Sequence, residues 1–138
     1  MQKSAFLIFL QTSSVNYATE QLRHSSYTRR APDGAPTEVR KNAKAQAIAK
    51  AFFAANKPVA AICHGPYLLV SAGLLKGRKA TSFWGDGVPE EIKNAGGKYV
   101  DAEVVVDGNL VTSRYPMDLP FFMKELMKLI NELLPQKV

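Results

Sequence analysis

Cys63 is the only cysteine of this 138-residue chain, and His64 and Gly65 follow it at once in AAICHGPYLL (60–69). A thiol beside an imidazole is the minimal equipment for nucleophilic catalysis: the base takes the proton and the sulfur attacks an electrophilic carbonyl carbon. Whether the pair can do this is a question of geometry, because neighbouring residues on an extended strand point to opposite faces. Only a sharp turn at Cys63 brings thiol and ring together. Local chemistry leaves two readings open. Free cysteine is among the most buried residue types and behaves as a small hydrophobe. At the start of a helix, however, unpaired N–H groups and the positive dipole end lower a thiol pKa and can hold an oxyanion.

The flanking elements predict such a turn. VAAIC (59–63) is a short apolar run that suits a strand buried on both faces. GPYLLVSAGLL (65–75) reads as a helix with Pro66 in its first turn and Gly73 near its end. Strand, tight turn and helix make a nucleophile elbow built on cysteine rather than serine, at the carboxyl edge of a sheet where α/β proteins place ligand sites.

Further out, AFLIFL (5–10) is a candidate inner strand, and residues 11–36, ending in the loop-like APDGAP, carry little apolar periodicity. A helix is predicted from Asn42, with Ala45, Ile48, Phe52 and Ala55 as its apolar stripe and Asn56 and Pro58 as stop signals. KATSFW (79–84) suits a strand and VPEEIKNAGG (88–97) a helix. AEVVVDGNLVTSR (102–114) predicts a hairpin around Asp107-Gly108-Asn109. The stretch 117–134 is an amphipathic helix with Phe122, Leu126, Leu129 and Leu133 on one face. Alternating strands and helices imply an α/β layered fold.

Composition narrows the function classes. The length suits one domain, and 46% hydrophobic with 22% charged residues suits a globular one. The net charge of +6 is uneven: residues 1–85 hold twelve bases and three acids, residues 86–138 six bases and nine acids. The bases are scattered singly, as on a solvated surface rather than a nucleic-acid face. No apolar run approaches the roughly 20 residues that span a bilayer, and no secretory signal is recognisable. A single cysteine excludes an intramolecular disulfide framework and points to the reducing cytoplasm.

The other chemistry-bearing residues are weaker candidates. His24 lies in a Ser-rich stretch without a partner at ligand spacing, so no metal site is expected. Gly85-Asp86-Gly87 and Gly96-Gly97 match no phosphate-loop pattern and read as turns. Tyr67, Trp84 and Tyr115 suit either a pocket near the elbow or core packing, and Arg114 with Asp118 either a site rim or a bracket for the last helix.

KPVAAICHGPYLLVSAGLLKGRKATSF, NAGGKYVDAEVVVDGNLVTSR and DLPFFMKELMKLI together closely resemble the DJ/PfpI superfamily, in particular PfpI-type intracellular proteases of the class I glutamine-amidotransferase-like fold, over about residues 30–134. The resemblance implies a flavodoxin-like layered sheet with helices on both faces. It implies Cys63 as nucleophile, His64 as adjacent base, and the amide of Gly65 or its neighbour in the oxyanion hole. It further implies an acid from a neighbouring subunit, matched here by Asp33 or Glu38, and hence a homo-oligomer. The implied activity is that of a cysteine hydrolase, an intracellular peptidase or a deglycase- or glyoxalase-like stress protein acting on a peptide or small carbonyl substrate. No cofactor, metal, specific nucleic acid or membrane is expected.

Residues 1–30 depart from the family pattern. The Gly-Gly pair expected ahead of RAP (30–32) is absent, as is the glutamate that contacts the nucleophile in the family. The expected organisation is therefore an atypical segment 1–30 contributing one strand, then a PfpI-like portion 31–138, with some N-terminal strands missing and apolar faces of VAAIC and of the helix at 43–55 exposed. Losing one oxyanion donor typically costs on the order of 10²- to 10³-fold in rate. The alternative reading is a catalytically impaired, truncated homologue acting by self-association or thiol redox sensing.

Overall fold

Val59–Cys63 forms a strand whose five residues are all buried, and its alternation divides the molecule into two cores. Val59 and Ala61 face Ala49, Leu69, Leu75, Ile92 and Leu110. Ala60, Ile62 and Cys63 face Val111, Phe122, Leu126 and Leu129. Small residues at 60 and 61 let helices approach the sheet closely on both sides. Each large apolar side chain fully buried there contributes roughly 1.5–3 kcal/mol.

This is a computed structural model, and it describes residues 7–12, 15–17 and 34–133. The strands are β1 (Leu7–Thr12), β2 (Val15–Tyr17), β3 (Val59–Cys63), β4 (Lys79–Ala80), β5 (Lys98–Tyr99), β6 (Val104–Asp107) and β7 (Leu110–Ser113). The helices are α1 (Gly34–Lys41), α2 (Ala43–Ala54), α3 (Pro66–Ser71), α4 (Val88–Asn94) and α5 (Leu119–Leu133), the last preceded by a 3-10 turn at Pro116–Asp118. The main sheet runs β2-β1-β3-β7-β6, and β4 and β5 form a separate pair. β1 and β7 lie parallel to β3, whereas β2 and β6 are antiparallel edges. Residues of α2, α3 and α4 pack into one core and those of α5 into the other, which makes the flavodoxin-like α/β layering implied by the sequence. Among the described residues no helix is long and apolar enough to cross a membrane.

Local chemistry accounts for the element ends. Asn42 caps α2 by accepting the Ala45 N–H at 3.0 Å. Asn56, at φ 52°, closes the same helix while the Lys57 N–H reaches back to the Phe52 carbonyl. Gly73, at φ 71°, ends α3 likewise, with Leu74 N–H bonded to the Leu69 carbonyl, so α3 is only six residues long. The hairpin β6–β7 turns through Gly108-Asn109, where Asp107 pairs with Leu110.

Four expectations are corrected. Among its described residues the segment 1–30 holds two strands, β1 and β2, where one was expected. VAAIC exposes no apolar face, because β1 and β7 flank it and Val59 through Cys63 are at most 5% exposed. The strand expected over 79–84 stops at Ala80: Thr81 N–H bonds the Thr112 hydroxyl and Phe83 N–H bonds the Cys63 carbonyl, which draws the chain across the elbow. In α2 the inward positions are Ala45 and Ala49, and Ile48 points outward at 38% exposure.

Candidate active site

β3 ends at Cys63, between the carboxyl ends of its parallel neighbours β1 and β7. Cys63 itself sits at φ 61°, in the left-handed region. For a residue with a side chain this costs of order 1–3 kcal/mol, and it persists only where the surroundings enforce it. Here the Cys63 carbonyl accepts from Phe83 N–H at 3.0 Å, and Gly65 N–H closes on the Ile62 carbonyl at 2.9 Å. The sharp turn demanded by the adjacent pair is therefore present, and it swings both side chains to one side.

The Cys63 sulfur lies 3.2 Å from His64 Nδ1, and His64 Nε2 lies 2.7 Å from Asp86 Oδ2. A neutral imidazole protonated on Nε2 donates to Asp86 and leaves Nδ1 to accept the thiol proton. The His64 side chain is 11% exposed and the Asp86 side chain 67%. An exposed ion pair adds little stability, so the role of Asp86 is to orient the ring and fix its tautomer. Asp86 also has a left-handed backbone, φ 57°, a conformation that aspartate tolerates better than most residues.

Burial outweighs the helix end at the thiol. Desolvation pushes Cys63 up from its ordinary 9.0 to about 11; the His64 backbone N–H opposes the rise and the Asp86 charge adds to it. The expected depression by the start of α3 is overturned. The sulfur is nearly enclosed, and a six-residue helix brings little dipole to bear. Cys63 thus rests as a neutral thiol that needs a base. Gly65 N–H is already engaged with Ile62, whereas the His64 N–H faces the sulfur.

Glu38 is exposed on α1, and Asp33 and His24 lie outside the described residues. Within the chain, the carboxylate that meets His64 is Asp86, 22 positions downstream, in a turn flanked by glycines. The pairing of Asp with two glycines at the end of SFWGDG was its only sequence signal. Around it, the Phe83 ring stacks 5.0 Å from His64, and Trp84 packs 4.8 Å from Phe83 and edge-on to Tyr115 at 4.8 Å. Tyr67 is buried, while Trp84 is 53% exposed at the rim. Arg114 braces the start of α5 through Asp118 at 2.8 Å and also reaches Asp101 at 3.1 Å.

Residues 32–129 match the model of the DJ-1/PfpI family. The protein named Deglycase PfpI of Pyrococcus furiosus is 54% identical over 97 residues, which are 70% of this chain and 57% of that one. A deglycase of Pyrococcus abyssi is 48% identical over 122 residues, 87% of this chain and 72% of its own. Among solved structures, a two-domain protein with DJ-1/ThiJ/PfpI-like and ferritin-like domains from Anabaena variabilis superposes with a TM-score of 0.66 at 37% identity, covering 73% of this chain and 29% of that one. Against several of these curated relatives the chain spans little more than half of their length.

Proposed function

The chain belongs to the DJ-1/PfpI family, and on that premise we propose that it is a cysteine hydrolase attacking the carbonyl carbon of a peptide or a small carbonyl adduct. The observation that carries this is the continuous relay from the Cys63 sulfur through His64 to Asp86, at 3.2 and 2.7 Å, on a strained strand-to-helix turn. His64 Nδ1 takes the thiol proton as the sulfur bonds to the carbonyl carbon, and the carbonyl π pair moves onto oxygen. The His64 N–H, which faces the sulfur, stabilises that oxyanion. Collapse expels the leaving group, which takes the proton back from the imidazolium. Water, activated by the same ring, then releases the acyl group from sulfur.

The relatives named deglycases in Pyrococcus furiosus and Pyrococcus abyssi support an acyl- or adduct-releasing activity for this chain too. A working free thiol belongs in a reducing compartment, the cytoplasm. Cys63→Ser tests the reading with a peptide amide and a carbonyl–amine adduct as substrates: turnover falls by at least about 10²-fold with the far-ultraviolet spectrum unchanged. Equal turnover by the two proteins would end it. A second reading, an impaired homologue sensing oxidants, uses the same thiol without turnover, and sulfenic acid formation with no hydrolysis of either substrate would favour it.

A further inference from the structure

Asp86 is the least anchored member of the relay, since its side chain is two-thirds exposed and its turn lies between Gly85 and Gly87. One buried group holds that turn. The Tyr67 hydroxyl, on the first turn of α3, donates to the Asp86 backbone carbonyl. The Tyr67 ring is 8% exposed and stands 5.9 Å from the His64 ring. Above it, 4.5 Å from its centroid, lies the Arg40 guanidinium of α1. Arg40 in turn is fixed by a two-pronged pair with Glu91 of α4, at 3.0 and 2.5 Å, and by Ser71 Oγ at 2.8 Å.

We propose that Tyr67 is a positioning residue for the Cys63–His64–Asp86 relay, clamped by Arg40, and that the two set how readily Cys63 gives up its proton near neutral pH. The inference rests on the relay assigned above and extends it to two side chains that touch neither substrate nor sulfur. Without the Tyr67 hydroxyl, a left-handed aspartate in a glycine-flanked turn has no fixed carbonyl, and its carboxylate loses its aim at Nε2. Arg40 keeps the phenol in place, so α1 acts on the thiol through four successive contacts, and α4 through a fifth, Glu91 to Arg40. The charged and titratable groups around the phenol are Arg40, Asp86, Glu90 and Glu91, and those around the sulfur are His64 and Asp86.

Because Cys63 is the only cysteine, its alkylation by iodoacetamide reports the relay without any substrate. Rates are measured from pH 6 to 11 for the wild type, His64→Ala, Asp86→Asn, Tyr67→Phe, Arg40→Met and the double variant Tyr67→Phe/Asp86→Asn. In the wild type a neutral-pH arm, dependent on His64, precedes the alkaline rise. Tyr67→Phe keeps the ring under Arg40 and lowers that arm on the order of 10-fold or more, as expected for a displaced base. Arg40→Met lowers it in the same direction by less, and the double variant loses no more than Asp86→Asn alone, because both changes break one path. The inference is overturned, with the relay intact, if Asp86→Asn loses the arm while Tyr67→Phe and Arg40→Met retain the wild-type profile. If His64→Ala also retains that profile, the relay itself is wrong and the inference goes with it.

Discussion

At the scale of single residues, the proposed chemistry rests on a thiol that is poised yet neutral. Burial dominates the Cys63 titration, so its main alkaline alkylation rise centres near pH 11 rather than near its ordinary 9.0. A rise centred at or below 9 would contradict the enclosure seen around the sulfur. A thiol held that high needs His64, and His64 needs its tautomer. Asp86→Asn preserves the left-handed turn, which asparagine tolerates, but offers its amide to Nε2. It should lower kcat/KM by about 10²-fold while leaving the thermal midpoint nearly unchanged, in line with the usual contribution of an oriented general base. The elbow was legible in the sequence because strand, Cys-His-Gly and Pro-started helix are contiguous. Asp86 was not, because no local pattern ties a turn residue to a ring 22 positions away.

At the scale of elements, α5 was readable because its 3.6-residue period is long and uninterrupted, and the hairpin because two β-branched runs flank Asp107-Gly108-Asn109. Phe122, Leu126 and Leu129 lie inward as the spacing required. Phe122 is fully buried against β3 and β7. Phe122→Ala therefore lowers the unfolding free energy by about 3–5 kcal/mol in urea titrations, and a loss below about 1 kcal/mol would show that α5 does not close this core. The short elements misled for a physical reason. KATSFW has strand composition, yet beyond Ala80 its amides bond a threonine hydroxyl and the Cys63 carbonyl instead of a strand partner. Tertiary demand at the elbow overrode local propensity. In α2 the choice of Ile48 over Ala49 as an inward position failed because only the smaller side chain fits where the helix approaches β3.

At the scale of the whole molecule, the layering followed from the alternation of strands and helices, but the strand order could not, since the edge strand β2 lies in the stretch with least periodicity and nothing in AFLIFL says which strand it pairs. The relay lies within one chain, so specific activity should hold constant on dilution from micromolar to nanomolar. A fall with a bimolecular concentration dependence would return the orienting acid to a neighbouring subunit, at Asp33 or Glu38. The two cores on either side of β3 carry one more implication. Cys63 belongs to the packing unit closed by α5, whereas Tyr67, which steadies the acid, belongs to the opposite one. The 2.7 Å contact between His64 and Asp86 is thus a gauge of how well two masses of hydrocarbon, on opposite faces of one strand, stay aligned. Warming that loosens either mass detunes the thiol while the backbone is still folded, so reactivity is the first property this architecture gives up.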